Sequence, residues 1–166
     1  MLGDRYALLK WPAQINVVLA MGMPGLKREI SFFLKDSSNL LFPTLVHPRA
    51  TILNPDTVTL GEGTILTAGC IITTDVQIGK HVLINLNTTI GHDTAIGDYS
   101  SIMPGVNLAG AVSLGEAVLI GSGANIISGV IVGEGATIGA GSVVNRNVDP
   151  NKTAVGVPAR AIVKKS

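Results

Sequence analysis

One short segment of the sequence carries side chains that could perform acid–base chemistry. His92 is followed directly by Asp93, and a neutral imidazole is a good base near pH 7. A neighbouring carboxylate can hold one ring nitrogen protonated and stabilise the imidazolium, which leaves the other nitrogen free to take a proton. Gly110 follows eighteen residues after His92, and its unhindered backbone N–H could stabilise a developing oxyanion. An acyl transfer needs these groups, provided that the fold brings them together.

The elements that must position these residues follow from a six-residue repeat. Starting at Leu60 and stepping by six, fifteen consecutive positions are all Leu, Ile or Val, and the last of them is Val144. A helix cannot produce this pattern, because a step of six residues rotates a helical side chain by about 240°. A fixed short period is typical of a solenoid, in which each repeat buries its apolar face by stacking on its neighbours.

The pattern resembles the hexapeptide-repeat left-handed parallel β-helix, in which three hexads form one triangular coil of eighteen residues. The resemblance implies a β-solenoid of about five coils over residues 49–148. The left-handed sense of the coil is implied by the family alone, since parallel crossovers are usually right-handed. Residues eighteen apart in the chain are then neighbours along the stack, at a spacing of roughly 5 Å. Gly110 would therefore lie next to His92.

An eighteen-residue coil also predicts the character of the three edges of the prism. Residues two positions after each aliphatic residue form three columns, of which only the first is charged throughout. The first column is Glu62, Lys80, Asp98, Glu116 and Glu134; the second is Ala68, Leu86, Pro104, Ser122 and Ala140; the third is Thr74, His92, Gly110, Ser128 and Arg146. A solvated corner residue is one interpretation of His92, because charged residues hold equivalent turn positions. Its mostly uncharged edge, with Asp93 adjacent and Gly110 stacked on it, favours a catalytic role.

The side of the prism that leads to the second edge turns apolar residues outward. These are Ile65, Leu83 and Leu119, which a monomer would bury. We therefore expect this side to pack against another subunit. The same heterologous contact repeated about a closed axis predicts a homotrimer.

The two ends of the chain do not follow the six-residue step. Within residues 1–48, we predict a buried strand over Ile15–Ala20, an amphipathic helix over Leu26–Lys35 and a second strand over Phe42–Val46. Together they form one truncated Rossmann-like βαβ unit, without a Gly-x-Gly-x-x-Gly turn between strand and helix. Residues 149–166 are predicted to be a closing segment and a tail.

Composition excludes several classes of partner. The 166 residues are 46% hydrophobic and 14% charged with a net charge of +1, and a nucleic-acid partner is not expected. We also expect no membrane association, because the longest early apolar run, residues 15–20, is far too short to cross a bilayer, and no secretory signal is recognised. The single cysteine, Cys70, suits a reducing compartment, so the cytoplasm is the expected location.

The segment Asn85–Tyr99 is similar to bacterial sugar acyltransferases, the family that includes sialic acid O-acetyltransferase and the UDP-amino-sugar N-acetyltransferases of bacillosamine synthesis. The resemblance extends from about residue 12 to 163 and is most specific at Ile90–Tyr99, Ala109-Gly110 and Val155–Arg160. It implies transfer of an acetyl group from acetyl-CoA to an amino or hydroxyl group of a nucleotide-linked sugar, without a metal.

The resemblance also implies roles for individual residues. His92 would be the general base, Asp93 would raise its basicity, and Asn85 would lie near the acceptor sugar. Backbone groups that bind acetyl-CoA would belong to Gly110, Ser122 and Ala140. The chain departs from the family at two points: Ser101 stands where some members have a histidine that contacts the cofactor, and the Gly-rich first turn that grips the nucleotide sugar is missing.

Two other functions are compatible with the repeat. A non-catalytic solenoid or scaffold, which has lost its sugar site with the first half of the N-terminal domain, would not bind acetyl-CoA. A hexapeptide carbonic anhydrase would need three histidines on one metal, whereas only His81 and His92 lie inside the repeat, at different corners. Amino and hydroxyl acceptors both fit the sequence. Met1 is either the native start, or the nucleotide-sugar-binding half of a longer N-terminal domain has been removed before it.

Overall fold

A computed structural model describes residues 4–162, which form a three-sided left-handed parallel β-helix preceded by a small βαβ unit. The N-terminal unit begins with helix α1 (Arg5–Leu9), whose N-cap Asp4 accepts hydrogen bonds from two backbone N–H groups of the first turn. Strands β1 (Ile15–Asn16) and β2 (Leu40–Leu41) pair in parallel and are joined by helix α2 (Pro24–Leu34). The predicted order of strand, helix and strand is confirmed.

The predicted bounds of all three elements differ from the observed ones. Helix α2 runs from Pro24 to Leu34 rather than from Leu26 to Lys35, because proline is well suited to the first turn of a helix. The first strand ends at Asn16 rather than Ala20, because its partner β2 is itself only two residues long. The segment predicted as one strand, Phe42–Val46, is not continuous: β2 ends at Leu41, and Leu45–Val46 pairs with the solenoid. Pro43 lies between the two strands and has no N–H to contribute to a ladder, which accounts for the break.

The solenoid consists of short strands on three sides, each side being one parallel sheet. Side 1 contains β3 (Leu45–Val46), β6 (Ile65–Leu66), β9 (Leu83–Ile84), β12 (Ser101–Ile102), β15 (Leu119–Ile120) and β18 (Thr137–Ile138). Side 2 contains β4 (Thr51–Ile52), β7 (Ile71–Ile72), β10 (Thr89–Ile90), β13 (Asn107–Leu108), β16 (Asn125–Ile126) and β19 (Val143–Val144). Side 3 contains β5 (Val58–Leu60), β8 (Val76–Ile78), β11 (Ala95–Ile96), β14 (Ser113–Leu114) and β17 (Ile131–Val132). Strands β20 (Thr153–Gly156) and β21 (Ala159–Ala161) close the C-terminal end of side 1 as an antiparallel pair.

The core of the solenoid is made by the aliphatic residues of the hexads. Ile84, Ile90 and Ile102 are fully buried, and each belongs to the run of fifteen positions. Strands pair with an offset of eighteen residues, as in Ile90 with Leu108. The solenoid and its register are therefore those predicted from the repeat.

One coil more than the predicted five lies at the N-terminal end, since side 2 contains six strands. Strands of this coil pair with those of the next coil at an offset of twenty residues, as in Val46 with Leu66. The two extra residues lie in a short 3₁₀ turn, Pro55–Thr57, between β4 and β5. This insertion hides the first coil from a strict six-residue step.

Helix α2 covers part of side 1. The ammonium group of Lys27 is buried and donates hydrogen bonds of 2.9 Å to the carbonyl oxygens of His81 and Ser100, which precede β9 and β12. Leu83 is only 8% exposed in the single chain, so the expectation that it faces another subunit was wrong at this residue. The homotrimer itself stays a prediction.

The predicted domain boundaries at residues 48 and 148 also stay predictions. Strand β3 precedes residue 48 and already belongs to side 1, while Val148 forms a parallel bridge with Val132 of side 3. Between residues 4 and 162, no helix combines the length and the apolar character that crossing a membrane would need.

Candidate active site

The first component of the site is the pair His92–Asp93, in the turn that follows β10 on the third edge. Nδ1 of His92 lies 2.7 Å from Oδ2 of Asp93. A carboxylate can only accept a hydrogen bond, so Nδ1 carries the proton and Nε2 of a neutral ring keeps its lone pair. Both side chains are 63% exposed in the single chain.

The coils on either side fix the backbone of this pair. The N–H of Asp93 donates to the carbonyl of Thr74 in the preceding coil, at 3.2 Å, and the carbonyl of His92 accepts from the N–H of Ala111 in the following coil, at 2.7 Å. Asp93 adopts a left-handed φ of 56°, which Asp and Asn tolerate better than most residues. The sharp turn at Asp93 places its carboxylate beside the imidazole.

Gly110 lies directly against the imidazole of His92. A Cβ atom added to Gly110 would come within 2.5 Å of Nε2 and 2.6 Å of Cε1 of His92, so the ring occupies the space of the missing side chain. Within residues 4–162, the N–H of Gly110 donates no hydrogen bond. The structure thus brings the imidazole of His92 next to a residue with a free N–H, as the eighteen-residue coil predicts.

The other predicted cofactor residues lie on a different edge. Ser122 and Ala140 are exposed on the second edge and stack on each other, and the N–H of Gly141 donates to the carbonyl of Ser122 at 2.9 Å. Their own N–H groups also donate no hydrogen bond to any part of the chain from residue 4 to 162. One chain alone does not unite these two residues with Gly110, because side 2 separates the two edges.

Asn85 lies on the second edge too, in the same coil as His92. Its Oδ1 accepts a hydrogen bond of 2.8 Å from the N–H of Leu86, which leaves the amide NH₂ group free to donate. Side 2 separates Asn85 from His92 within one chain. A site that includes both residues requires the second edge of one chain beside the third edge of another.

Two polar residues that lie near α2 have no direct access to this site. Ser101 is fully buried on side 1 and its hydroxyl has no hydrogen-bond partner in the described chain, so it is not available to a cofactor on the surface. His81 is 5% exposed, stacks on Tyr99 at a centroid distance of 5.7 Å and contacts Phe42 edge-on. Burial lowers the pKa of its imidazole. Both residues are therefore structural in the single chain.

Sequence analysis does not identify Lys27, which is buried in the structure. Burial lowers the pKa of its ammonium group to about 7. Lysine side chains are almost never fully buried, so no local pattern points to this contact. Over residues 4–162, no group of three or more His, Cys, Asp or Glu side chains is arranged to hold a metal ion.

Comparison with known proteins gives both family and structural matches. Residues 111–146 match the family described as bacterial transferase hexapeptide (six repeats). No curated protein matches the chain. The acetyltransferase domain of PglB from Neisseria gonorrhoeae has a similar structure, with a TM-score of 0.89, 28% identity, and coverage of 95% of this chain and 77% of that chain.

Two structures from Caulobacter crescentus, both in complex with CoA and GDP-perosamine, are also similar. A mutant of perosamine N-acetyltransferase is 31% identical with a TM-score of 0.87, over 96% of this chain and 74% of that chain. PerB is 32% identical with a TM-score of 0.88, over 96% of this chain and 75% of that chain.

Proposed function

The chain belongs to the hexapeptide-repeat sugar acyltransferases, and from this premise we propose that it transfers the acetyl group of acetyl-CoA to a nucleotide-linked sugar. The observation that carries the proposal is the imidazole of His92, held by Asp93 and packed against Gly110, whose backbone N–H donates no hydrogen bond within residues 4–162. The similarity to named acetyltransferases favours an enzyme over a non-catalytic solenoid.

In the proposed reaction, Nε2 of His92 removes a proton from the amino or hydroxyl group of the acceptor as that group attacks the thioester carbonyl. Asp93 stabilises the resulting imidazolium through the Nδ1–H, and the N–H of Gly110 donates to the developing oxyanion. The carbon–sulfur bond then breaks and the imidazolium returns its proton to the leaving thiolate. Acetyl transfer is direct, because both substrates meet in one cleft and no acyl-enzyme is needed.

Acetyl-CoA is the proposed co-substrate, and two observations support its placement. Ser122 and Ala140 offer free N–H groups one coil apart along the second edge. Related structures contain bound CoA or acetyl-CoA. We infer that the pantetheine arm follows this edge from the level of His92 towards the later coils, with Gly110 contributed by the neighbouring chain.

The proposed assembly is a homotrimer. His92 and Asn85 lie in the same coil but on different edges, so a cleft between adjacent prisms would unite them with a single repeated contact. Asn85 would then use its free amide to hold the acceptor sugar. A cytoplasmic location remains part of the proposal, on the basis of the lone buried Cys70.

The test is acetyl transfer to the acceptor that the related structures contain. Purified protein is incubated with acetyl-CoA and GDP-perosamine, and release of free CoA thiol is followed together with the mass of the sugar product. We expect acceptor-dependent thiol release and a product heavier by one acetyl group. Absence of CoA binding in a calorimetric titration would overturn the proposal and support the scaffold instead.

A further inference from the structure

A single arginine stands on the second edge, where the other turn residues of the described chain are uncharged. Arg49 lies in the turn between β3 and β4, in the first coil. It lines a shallow pocket of about 410 Å³ together with Ala68, Gly69, Leu86 and Asn87. No acidic side chain lines this pocket, so the charge of Arg49 is not neutralised there.

Arg49 is held by its backbone and free at its side chain. Its N–H donates to Nδ1 of His47 at 3.1 Å, and its carbonyl accepts from the N–H of Gly69 at 3.0 Å. Within residues 4–162, its guanidinium makes neither an ion pair nor a hydrogen bond, and the residue is exposed. A fixed turn therefore presents five unused N–H donors to a ligand.

The position of Arg49 along the edge separates it from the proposed cofactor path. Ser122 and Ala140 lie in coils that follow the coil of Asn85 and His92, whereas Arg49 lies two coils before it. Leu86, which lines the pocket, is the residue next to Asn85. If the cofactor occupies the later coils, the earlier coils are left for the acceptor.

The spacing fits a sugar that carries a phosphate. Two coil spacings place the turn of Arg49 roughly 10 Å from that of Leu86. A hexose ring and its anomeric phosphate span a distance of this order when the reacting group lies at the level of Asn85. The planar guanidinium matches phosphate oxygens with two parallel hydrogen bonds.

We propose that Arg49 binds the diphosphate of the acceptor and thereby selects nucleotide-linked sugars over free sugars. This inference rests on the proposed function, since it assigns the acceptor end of the same cleft. It also supplies an anchor for the nucleotide end in a chain that has no Gly-rich turn between β1 and α2. The diphosphate oxygens are the atoms recognised, so the identity of the base is not selected by Arg49.

The experiment compares the wild type with Arg49→Ala and Arg49→Lys, using GDP-perosamine and free perosamine as matched acceptors. For Arg49→Ala we expect the KM for GDP-perosamine to rise by about 10- to 100-fold, the range for losing hydrogen bonds to a charged group. The KM for free perosamine and the KM for acetyl-CoA should not change, and kcat should stay close to that of the wild type. Arg49→Lys should recover part of the loss. Arg5→Ala, which removes an arginine of α1 that pairs with Glu29, is the control.

Three outcomes overturn the proposal. An equal rise in KM for both sugars would show a structural role, a rise in the KM for acetyl-CoA would assign Arg49 to a cofactor phosphate, and no change would exclude phosphate contact. Calorimetric titration with pyrophosphate and with GDP provides a readout that does not need turnover. If the protein transfers no acetyl group but binds pyrophosphate through Arg49, the proposed function fails and the anion site stands. If pyrophosphate does not bind, or binds equally well to Arg49→Ala, the proposed anion site is wrong.

Discussion

The imidazole of His92 packs on the backbone of Gly110, so that a Cβ atom at position 110 would clash with Nε2. The two residues are eighteen apart in the chain and belong to consecutive coils, joined by the pairing of Ile90 with Leu108. A side chain larger than hydrogen at position 110 would force the ring to move. This contact places the proposed base beside the residue that carries the proposed oxyanion donor.

Gly110→Ala should reduce kcat while leaving the fold intact. The added Cβ would lie 2.5 Å from Nε2, so the imidazole must shift, and a displacement of about 1 Å can cost on the order of 100-fold in rate. The backbone φ of Gly110 is outside the left-handed region, so alanine fits the turn. Steady-state kinetics and thermal unfolding measure both effects. Gly25→Ala is the control, because a Cβ at position 25 meets open space, and this variant should keep full activity. Equal activity of the two variants would contradict a role for the contact between Gly110 and His92.

Asp93→Asn should lower kcat without altering stability. The substitution keeps an oxygen that can accept from Nδ1 of His92 but removes the charge that stabilises the imidazolium, and we expect a loss of about 10- to 100-fold. Asn tolerates the left-handed φ of 56° at this position. Asp75→Asn provides the control, since Asp75 holds the equivalent turn one coil earlier with a φ of 55°. A similar loss of kcat in both variants would indicate a general effect of charge on this edge.

Lys27 should make the stability of the protein depend on pH above neutrality. Its folded-state pKa is about 7 against an ordinary value of 10.5, so between these values the unfolded chain binds a proton that the folded chain does not. The free energy of unfolding should therefore rise with pH across that window, by up to about 1.4 kcal/mol per pH unit from this group. Denaturant unfolding from pH 7 to 10 should show a smaller slope for Lys27→Met than for the wild type.

Lys35→Met is the control for that comparison, because Lys35 is exposed at the end of the same helix. Its slope should equal that of the wild type. Identical slopes for all three proteins would contradict the assignment of the pH dependence to the buried ammonium.

Mixed oligomers should regain activity if the site lies between chains. His92→Ala and Asn85→Ala should each be weak alone, yet an oligomer of both variants contains sites that take His92 from one chain and Asn85 from the other. For random assembly, about a quarter of the sites would be complete. The measurement is thiol release after subunit exchange, with sedimentation to establish the oligomer. As a control, exchange of either single variant with a chain that carries both substitutions should restore no activity. Failure of the two single variants to restore activity together would contradict a site shared between chains.

Features of the structure could be predicted where a regular repeat in the sequence determines which residues are neighbours. The stacking of Gly110 on His92 was predictable, because the uninterrupted hexads hold one register from Leu60 to Val144 and fix every residue one coil away. The first coil was missed because the turn Pro55–Thr57 adds two residues and shifts the phase of the repeat.

Contacts between α2 and side 1 could not be predicted in this way. Leu83 shows the same outward apolar position whether a second subunit or another part of its own chain covers it, so the repeat does not distinguish the two. Burial of Lys27 depends on two backbone carbonyls that lie 54 and 73 residues further along the chain. No local pattern in α2 encodes such partners.

The most direct test of the catalytic assignment is the kcat of His92→Ala with acetyl-CoA and GDP-perosamine, measured beside the wild type and Asp75→Asn. Loss of a general base should lower kcat by about 10²- to 10⁴-fold, while thermal unfolding and CoA affinity stay unchanged, and the substitution at the exposed Asp75 should have no effect. A His92→Ala protein that turns over at the wild-type rate would contradict the account.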